Sequence, residues 1–477
     1  RASSLDSMIF RRLYHDRLAQ ASYLIACEAS RLAIVVDPVR DVAPYVEAAA
    51  LEDVRIAYVT ETHLHADFLS GAEALARRTG ATLLLSGEGD SATAAARLLR
   101  TGAEAVRDGT SIAVGRVRLN ARLTPGHTPE HLSFMVTDEA IGPLPVGMLT
   151  GDFLFAGDVG RPDLLERAVG ILGTMRQSAA QLFRSLQTLR SLPEYLQIWP
   201  GHGAGSSCGK ALGAVPQSTL GYELRSNWAF QVSDEESFID EVLRDQPDPP
   251  AYFARMKELN ATGVSPMPRP ADLPDDALRR AAREGALVVD MRAAKEFVAA
   301  HAAGSLNIPI GRSFLHWAGS LLDPARDIVL IAADETRHQA NIVARDLALI
   351  GFDRVLGTLQ PSALQSLAPH GMANIPVIAA ADVVGGPTGV TIVDVRTPAE
   401  WNAGHIPGAV HVPLTRIADH LNELRDAGPL LVHCQGGARS VIAASVLRSA
   451  GIENVTDVEG GYPAWLHGTA AAAERSS

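Results

Sequence analysis

The sequence predicts a multi-domain α/β protein, on three observations. The chain has 477 residues, 47% of them hydrophobic, which is enough for several independent cores. Its C-terminal part contains an internal duplication: Asp290, Arg292, Glu296, His301, Gly304 and Pro309 recur in order as Asp394, Arg396, Glu400, His405, Gly408 and Pro413. Each copy alternates an apolar strand, a helix, a second apolar strand, a loop and an amphipathic helix running to Gly351 or Gly451. That alternation is the pattern of a parallel sheet covered by helices.

Proline-rich stretches punctuate the chain at "DQPDPP", "SPMPRPADLP" and "PSALQSLAPHGMANIP", and they predict three domains over residues 8–264, 275–370 and 375–470. Met8 reads as the native start. A net charge of −12 without a basic stripe argues against nucleic acid and for small-molecule chemistry. No run approaches the length of a membrane span, and the first residues lack an apolar signal core, so no membrane partner is expected and the cytoplasm is the expected compartment. The three cysteines, Cys27, Cys208 and Cys434, are scattered and odd in number, which suits a reducing compartment and excludes a disulfide framework.

In the second copy the strand "PLLVH" delivers Cys434 into "CQGGARS", a glycine-containing turn before a helix expected to begin near Ser440. A thiol there lies at the positive end of a helix, facing the free amides around Gly436 and Gly437 with Arg439 beside it. Such a cradle favours a thiolate and would bind an anionic sulfur substrate. His433 and Gln435 read as framing for the loop. A gapless alignment sets Asp334 of the first copy opposite Cys434, and Gln339 opposite Arg439, so that copy lacks both nucleophile and cation. The motifs "VDVR", "HIPGA", Cys-x-x-Gly-x-Arg-Ser and "EGGYPAW" resemble the rhodanese domain. The resemblance implies two α/β rhodanese domains with parallel sheets. The second would be a sulfurtransferase carrying a persulfide on Cys434; the first would be inactive, a spacer or the dimer surface of a homo-oligomer.

In the N-terminal part, strand-like runs end in turns that present His63, His65 and Asp67 ("TETHLHADF"), His127 ("TPGHT"), Asp152 ("LTGDFLF") and His202 ("WPGHG"). Four such termini in one domain point to convergence on metal, although the donor set alone admits several divalent ions. The order His-x-His-x-Asp, Gly-His-Thr, Thr-Gly-Asp, Gly-His-Gly resembles the metallo-β-lactamase fold, an αββα sandwich, and within it the persulfide dioxygenases that are fused to rhodaneses. The resemblance implies one Fe(II) per chain on His63, His127 and Asp152, with open positions for O2 and substrate. Phe68 stands where the superfamily motif has a histidine of the second metal site. A phenyl ring cannot ligate, so Asp67 and His202 are expected to orient ligands, and His65 to do so or to ligate zinc.

Other residues carry open alternatives. Arg161, in "DVGRPD", binds a substrate carboxylate or pairs with Asp163. Cys208 is expected on a flexible loop, beside the positive charge of Lys210, as a thiolate that relays persulfide sulfur. His131 is expected to pack or face solvent, and Cys27 to lie in the core. The activity these features imply is oxidation of a low-molecular-weight persulfide by O2 to sulfite and thiol, coupled to thiosulfate chemistry at Cys434. The alternatives are a mononuclear zinc thioester hydrolase of glyoxalase-II type with a rhodanese attached, and a metal-free binding module serving the rhodanese.

Overall fold

A computed structural model describes residues 7–476, apart from 90, 210, 211, 270, 272, 368–370 and 385–387. The chain forms two compact units, the second starting at Pro268 and holding both copies of the duplicated segment apart from Leu349–Gly351, which group with the first. Lys210 lies outside the described residues.

The first unit is built on two six-stranded sheets. One runs in the order Met8–His15, Gln20–Cys27, Leu32–Val36, Arg55–Thr60, Thr82–Ser86 and Glu104–Val106. Its first three strands pair antiparallel and the rest parallel, the parallel ones linked by the helices Ala43–Leu51, Ala72–Thr79 and Ser91–Thr101. The other sheet runs from Ser111–Val114 through Val117–Leu123, Leu132–Asp138 and Pro145–Gly151 to Gln197–Pro200 and Ser218–Thr219.

The period-two alternation of a strand assigns its side chains to two layers. In Pro145–Gly151, Leu149 points into the core between the sheets with Ile25, Val36 and Phe134, while Met148 faces the helix Thr174–Leu189. In Gln197–Pro200, Trp199 and Ile198 divide in the same way. The helix buries Leu182 and Leu186 against that outer face, completing helix, sheet, sheet, helix, the αββα sandwich that the resemblance implied.

In the second unit the two copies repeat one topology. The first has sheet order Leu306–Asn307, Leu287–Asp290, Ile328–Ile331, Val355–Leu359. The second follows with Val410–His411, Thr391–Asp394, Leu430–His433 and Val455–Glu459, adding Val377–Ala379 at the edge. All these pairs are parallel.

The register corrects the gapless alignment. Asp290 pairs with Ile331, as Asp394 pairs with His433, so the first residue beyond the strand is Ala332 in one copy and Cys434 in the other. Yet the following helices end in step, at Leu349 and Ser449. The first copy has extra residues in this loop, part of which forms a 3-10 turn over Asp334–Thr336. Ala332, not Asp334, is the counterpart of Cys434, and the conclusion that this copy has no thiol there is unchanged. The helix after Cys434 begins at Ala438, slightly earlier than Ser440.

Candidate metal centre and sulfur-transfer loop

The loops bearing the singled-out residues follow the strand ends Thr60, Leu123, Gly151 and Pro200. The turn of "TPGHT" depends on its glycine: Gly126 has φ +143°, and a Cβ there would lie 2.4 Å from that of Leu182. The loop can therefore press against the helix and bring His127 inward.

His63, His127 and Asp152 are buried and offer ligand atoms all within 4.8 Å of one another. The Asp152 Oδ2 lies 3.6 Å from His127 Nε2 and 3.9 Å from His63 Nε2. Each histidine is oriented from behind. His127 Nδ1 donates to the Arg161 carbonyl at 3.0 Å. His63 Nδ1 meets Thr62 Oγ1 at 2.9 Å, and that hydroxyl donates to Asp37 at 2.9 Å. These contacts leave both Nε2 lone pairs directed at Asp152. Burial, reinforced for His63 by the neighbouring histidines, lowers the pKa of both rings and keeps them neutral, the ligating state.

Asp152 Oδ2 is buried and has no hydrogen-bond partner, while Oδ1 accepts from His202 Nδ1 at 2.7 Å. An orphaned carboxylate oxygen facing two neutral imidazoles costs free energy unless a cation neutralises it. The donor set therefore fits a divalent metal.

His202 also donates through Nε2 to Asp67 at 2.7 Å. Burial disfavours its charge, but the two carboxylates prevail and raise its pKa well above the usual value, making it an imidazolium clamped between acids. Asp67, His202 and Cys208 form a second buried group of donors, yet both nitrogens of His202 are already engaged. Phe68 is fully buried and packs on His65 with ring centroids 4.3 Å apart. His65 itself bonds Asp37 at 3.1 Å.

Three expectations need correction or decision. Arg161 makes two bonds to Asp163, at 2.8 and 2.7 Å, and donates to the carbonyls of Pro247 at 2.6 Å and Ser207 at 3.3 Å. Its side chain is wholly buried, and of the two readings the ion pair with Asp163 is the one the structure contains. Cys208 is also buried. Burial, with Asp67 and Asp152 nearby, raises its pKa well above the usual thiol value, a direction opposite to the thiolate expected from its chain neighbours. His131 packs: its Nε2 accepts the Asp152 amide at 3.1 Å and Nδ1 meets Thr124 at 2.9 Å, and burial depresses its pKa to about 3.

Two further residues, Asp37 and Asn260, support the site from outside the sequence motifs. Asp37 ends an apolar strand as the metal-side residues do, and it braces Thr62 and His65. Asn260 spans the whole "HADFLS" loop, donating to the carbonyls of His65 and Phe68 and accepting from the Ser70 amide. It sits far along the chain, and no local pattern marks it.

In the second unit Cys434 is buried at the end of its strand and accepts the Gly437 amide at 3.0 Å. Gly437 has φ +91°, a left-handed turn at the start of the helix Ala438–Ser449 that aims its own amide at the sulfur. Gly436 lies one residue before it in the same turn. Arg439 makes two 2.7 Å bonds to Glu400. Burial works against that carboxylate, but Arg439 holds its pKa down at about 2. Ser440 Oγ lies 3.6 Å from Cys434 Sγ. Behind it, burial raises the Asp457 pKa to about 6.

The fold and these sites define a two-part protein, a metal-binding αββα unit followed by a cysteine-loop α/β unit. Residues 15–202 match the metallo-β-lactamase superfamily and residues 381–467 the rhodanese-like domain. A solved metallo-β-lactamase from Staphylococcus aureus subsp. aureus COL is 38% identical, covers 75% of this chain and 100% of its own, and superposes with a TM-score of 0.65. Human mitochondrial persulfide dioxygenase ETHE1 is 29% identical over 42% of this chain and 71% of its own. A probable polyketide biosynthesis zinc-dependent hydrolase, BaeB of Bacillus velezensis, is 26% identical over 48% of this chain and 89% of its own. The chain belongs to the metallo-β-lactamase superfamily and carries a rhodanese-like domain behind that unit.

Proposed function

We propose that this protein is a mononuclear non-haem iron persulfide dioxygenase joined to a thiosulfate-handling sulfurtransferase, acting in the cytoplasm. The observation that carries the first activity is the three-donor set His63, His127 and Asp152, with its orphaned Oδ2 and a phenylalanine in place of the next histidine. Bound there, Fe(II) would supply redox activity and open coordination positions, in the two-histidine, one-carboxylate pattern of O2-using iron enzymes. The reaction balances as R–S–SH + O2 + H2O → R–SH + sulfite + 2 H+.

The protein's residues hold the donors and exclude water. Thr62 and the Arg161 carbonyl fix the two histidine tautomers. His202 orients Asp152 and, as an imidazolium, offsets part of its charge.

The second activity rests on the Cys434 loop. The Cys434 thiolate would take the outer sulfur of thiosulfate and release sulfite, the loop amides holding the new persulfide anion. In the first copy Ala332 follows the strand instead, and we read that copy as a rhodanese-like domain without sulfurtransferase activity. The N-terminal resemblance to a zinc-dependent hydrolase favours a second reading, thioester hydrolysis on zinc, but Phe68 removes a donor that a two-metal hydrolase would use.

The test is oxygen uptake by anaerobically purified, Fe(II)-loaded protein given glutathione persulfide, beside a His127→Ala control. Uptake that disappears in the control supports the dioxygenase. No uptake in the loaded wild type, with thioester hydrolysis appearing on zinc loading, favours the hydrolase.

A further inference from the structure

Asp457 occupies a place where packing alone would favour an apolar side chain. It is the middle residue of the strand Val455–Glu459 and is only 5% exposed. In the register it stands beside Val432, two residues before Cys434, and the helix Ala438–Ser449 packs over its strand. Its Oδ1 is buried without a hydrogen-bond partner. Burial raises its pKa, and Glu459 adds to the rise, against a hydrogen bond from Ser440. No cation among the described residues offsets its charge. Such a carboxylate works against the fold at neutral pH, and a buried acid kept at that cost beside a nucleophile suggests a chemical role.

Ser440 joins the acid to the nucleophile. It is fully buried in the first turn of the helix. Its Oγ lies 3.6 Å from Cys434 Sγ, with the thiol as donor. The same hydroxyl donates to the Asp457 carboxylate, and its other acceptor is the Gly437 carbonyl at 3.2 Å. Thiol, hydroxyl and carboxylate thus form a chain in which each proton has an acceptor beyond it.

We propose that Asp457, acting through Ser440, takes up the proton that Cys434 loses when it becomes a nucleophile. Ser440 touches the reacting sulfur; Asp457 is a positioning residue behind it. Ser440 Oγ accepts the thiol proton as it passes its own to Asp457, so thiol and carboxylate become thiolate and carboxylic acid. The thiolate then attacks the outer sulfur of thiosulfate. The new S–S bond forms, the old one breaks, and sulfite leaves with its electron pair. Asp457 is now neutral, so no second negative charge stands beside the persulfide anion. When an acceptor removes the sulfur, the proton returns along the same path. The other charged groups around Cys434 are already committed: Arg439 pairs with Glu400, Arg396 pairs with Asp394, and burial keeps His433 neutral. The relay rests on the sulfurtransferase reading of Cys434.

Two measurements on the full chain test it. One is the rate at which iodoacetamide alkylates Cys434, followed by peptide mass spectrometry; the other is thiocyanate formation from thiosulfate and cyanide. Asp457→Asn keeps the shape of the side chain and should fold at least as well as wild type. Between about pH 6 and 8 it should slow both reactions roughly a hundredfold, the lower end for general-base catalysis. The deficit should close as pH rises further and hydroxide takes the thiol proton directly, and KM for thiosulfate should stay within about twofold, because Asp457 does not touch the anion. Ser440→Ala should show the same pH-dependent loss, Ser440→Thr should restore most of the rate, and the double variant Ser440→Ala/Asp457→Asn should be no slower than the worse single one. Rates and pH profiles unmoved by Asp457→Asn would overturn the proposal. So would a loss of the same factor at every pH, which is what disturbed packing gives. Alkylation that depends on Asp457 without any thiocyanate would sink the sulfurtransferase reading and leave the relay standing, whereas thiocyanate formed at wild-type rates by Asp457→Asn would do the reverse.

Discussion

Replacing Arg161 by methionine separates a structural role from a substrate-binding one. The guanidinium is fully buried and its partner Asp163 nearly so, so the variant strands a carboxylate whose remaining cation, Arg167, is 3.5 Å away and partly exposed. Breaking a buried ion pair from one side costs about 3–5 kcal/mol. At ~2–4 °C per kcal/mol for a domain of this size, the first unit should melt roughly 6–20 °C lower. Removing both charges in Arg161→Met/Asp163→Leu should recover much of the loss, because no uncompensated charge is left behind. Since the Arg161 carbonyl holds His127 Nδ1, the single variant should also bind metal more weakly. Differential scanning calorimetry of wild type, both single variants and the double variant, with metal analysis of each, gives the complete cycle. A melting temperature unchanged within 2 °C by Arg161→Met, that is, under about 1 kcal/mol, would refute the argument and return Arg161 to the substrate.

Three further outcomes are expected. His127→Ala should cut bound metal to a small fraction of wild type without changing the far-ultraviolet circular dichroism, because the two other donors alone make a poor site; retained stoichiometry on elemental analysis would contradict the three-donor centre. Asp457→Asn should stabilise the second unit at neutral pH. The Asp457 pKa rises from 3.8 to about 6 on folding, so its neutral form favours the fold below pH 3.8, and that benefit is lost as pH climbs to about 6. The shift corresponds to at most ~3 kcal/mol, and urea titrations at pH 4 and 7 should show the wild type losing stability between them while the variant does not. For Glu400 the sign is opposite: its pKa drops from 4.5 to about 2, so the Arg439 pair contributes fully above pH 4.5 and is lost as pH falls through 2. Glu400→Gln should slow sulfur transfer at neutral pH by freeing Arg439, and should flatten the acid limb of the second unit's stability curve.

Much of this protein was legible in its residues. Strand-like runs ending in histidine or aspartate marked the metal-side loops, because a side chain just past a strand end is held at the sheet's edge wherever the strand packs. The duplication and the Cys434 loop were equally plain, since backbone turns that cradle an anion require glycine at set positions. What the sequence left open was decided by contacts between distant segments. Arg161 had two partners of equal merit until folding enclosed it with Asp163, Ser207 and Pro247. Cys208 has glycine and serine neighbours in the chain, but folding buries it, with Asp67 and Asp152 close by, and that burial above all raises its pKa. The true counterpart of Cys434 appeared only from strand register, which a gapless alignment cannot see. Sequence patterns report local geometry and the identity of donors; burial, and with it protonation and ion pairing, belongs to the tertiary structure, because desolvation depends on everything packed around a group and not on its neighbours in the chain.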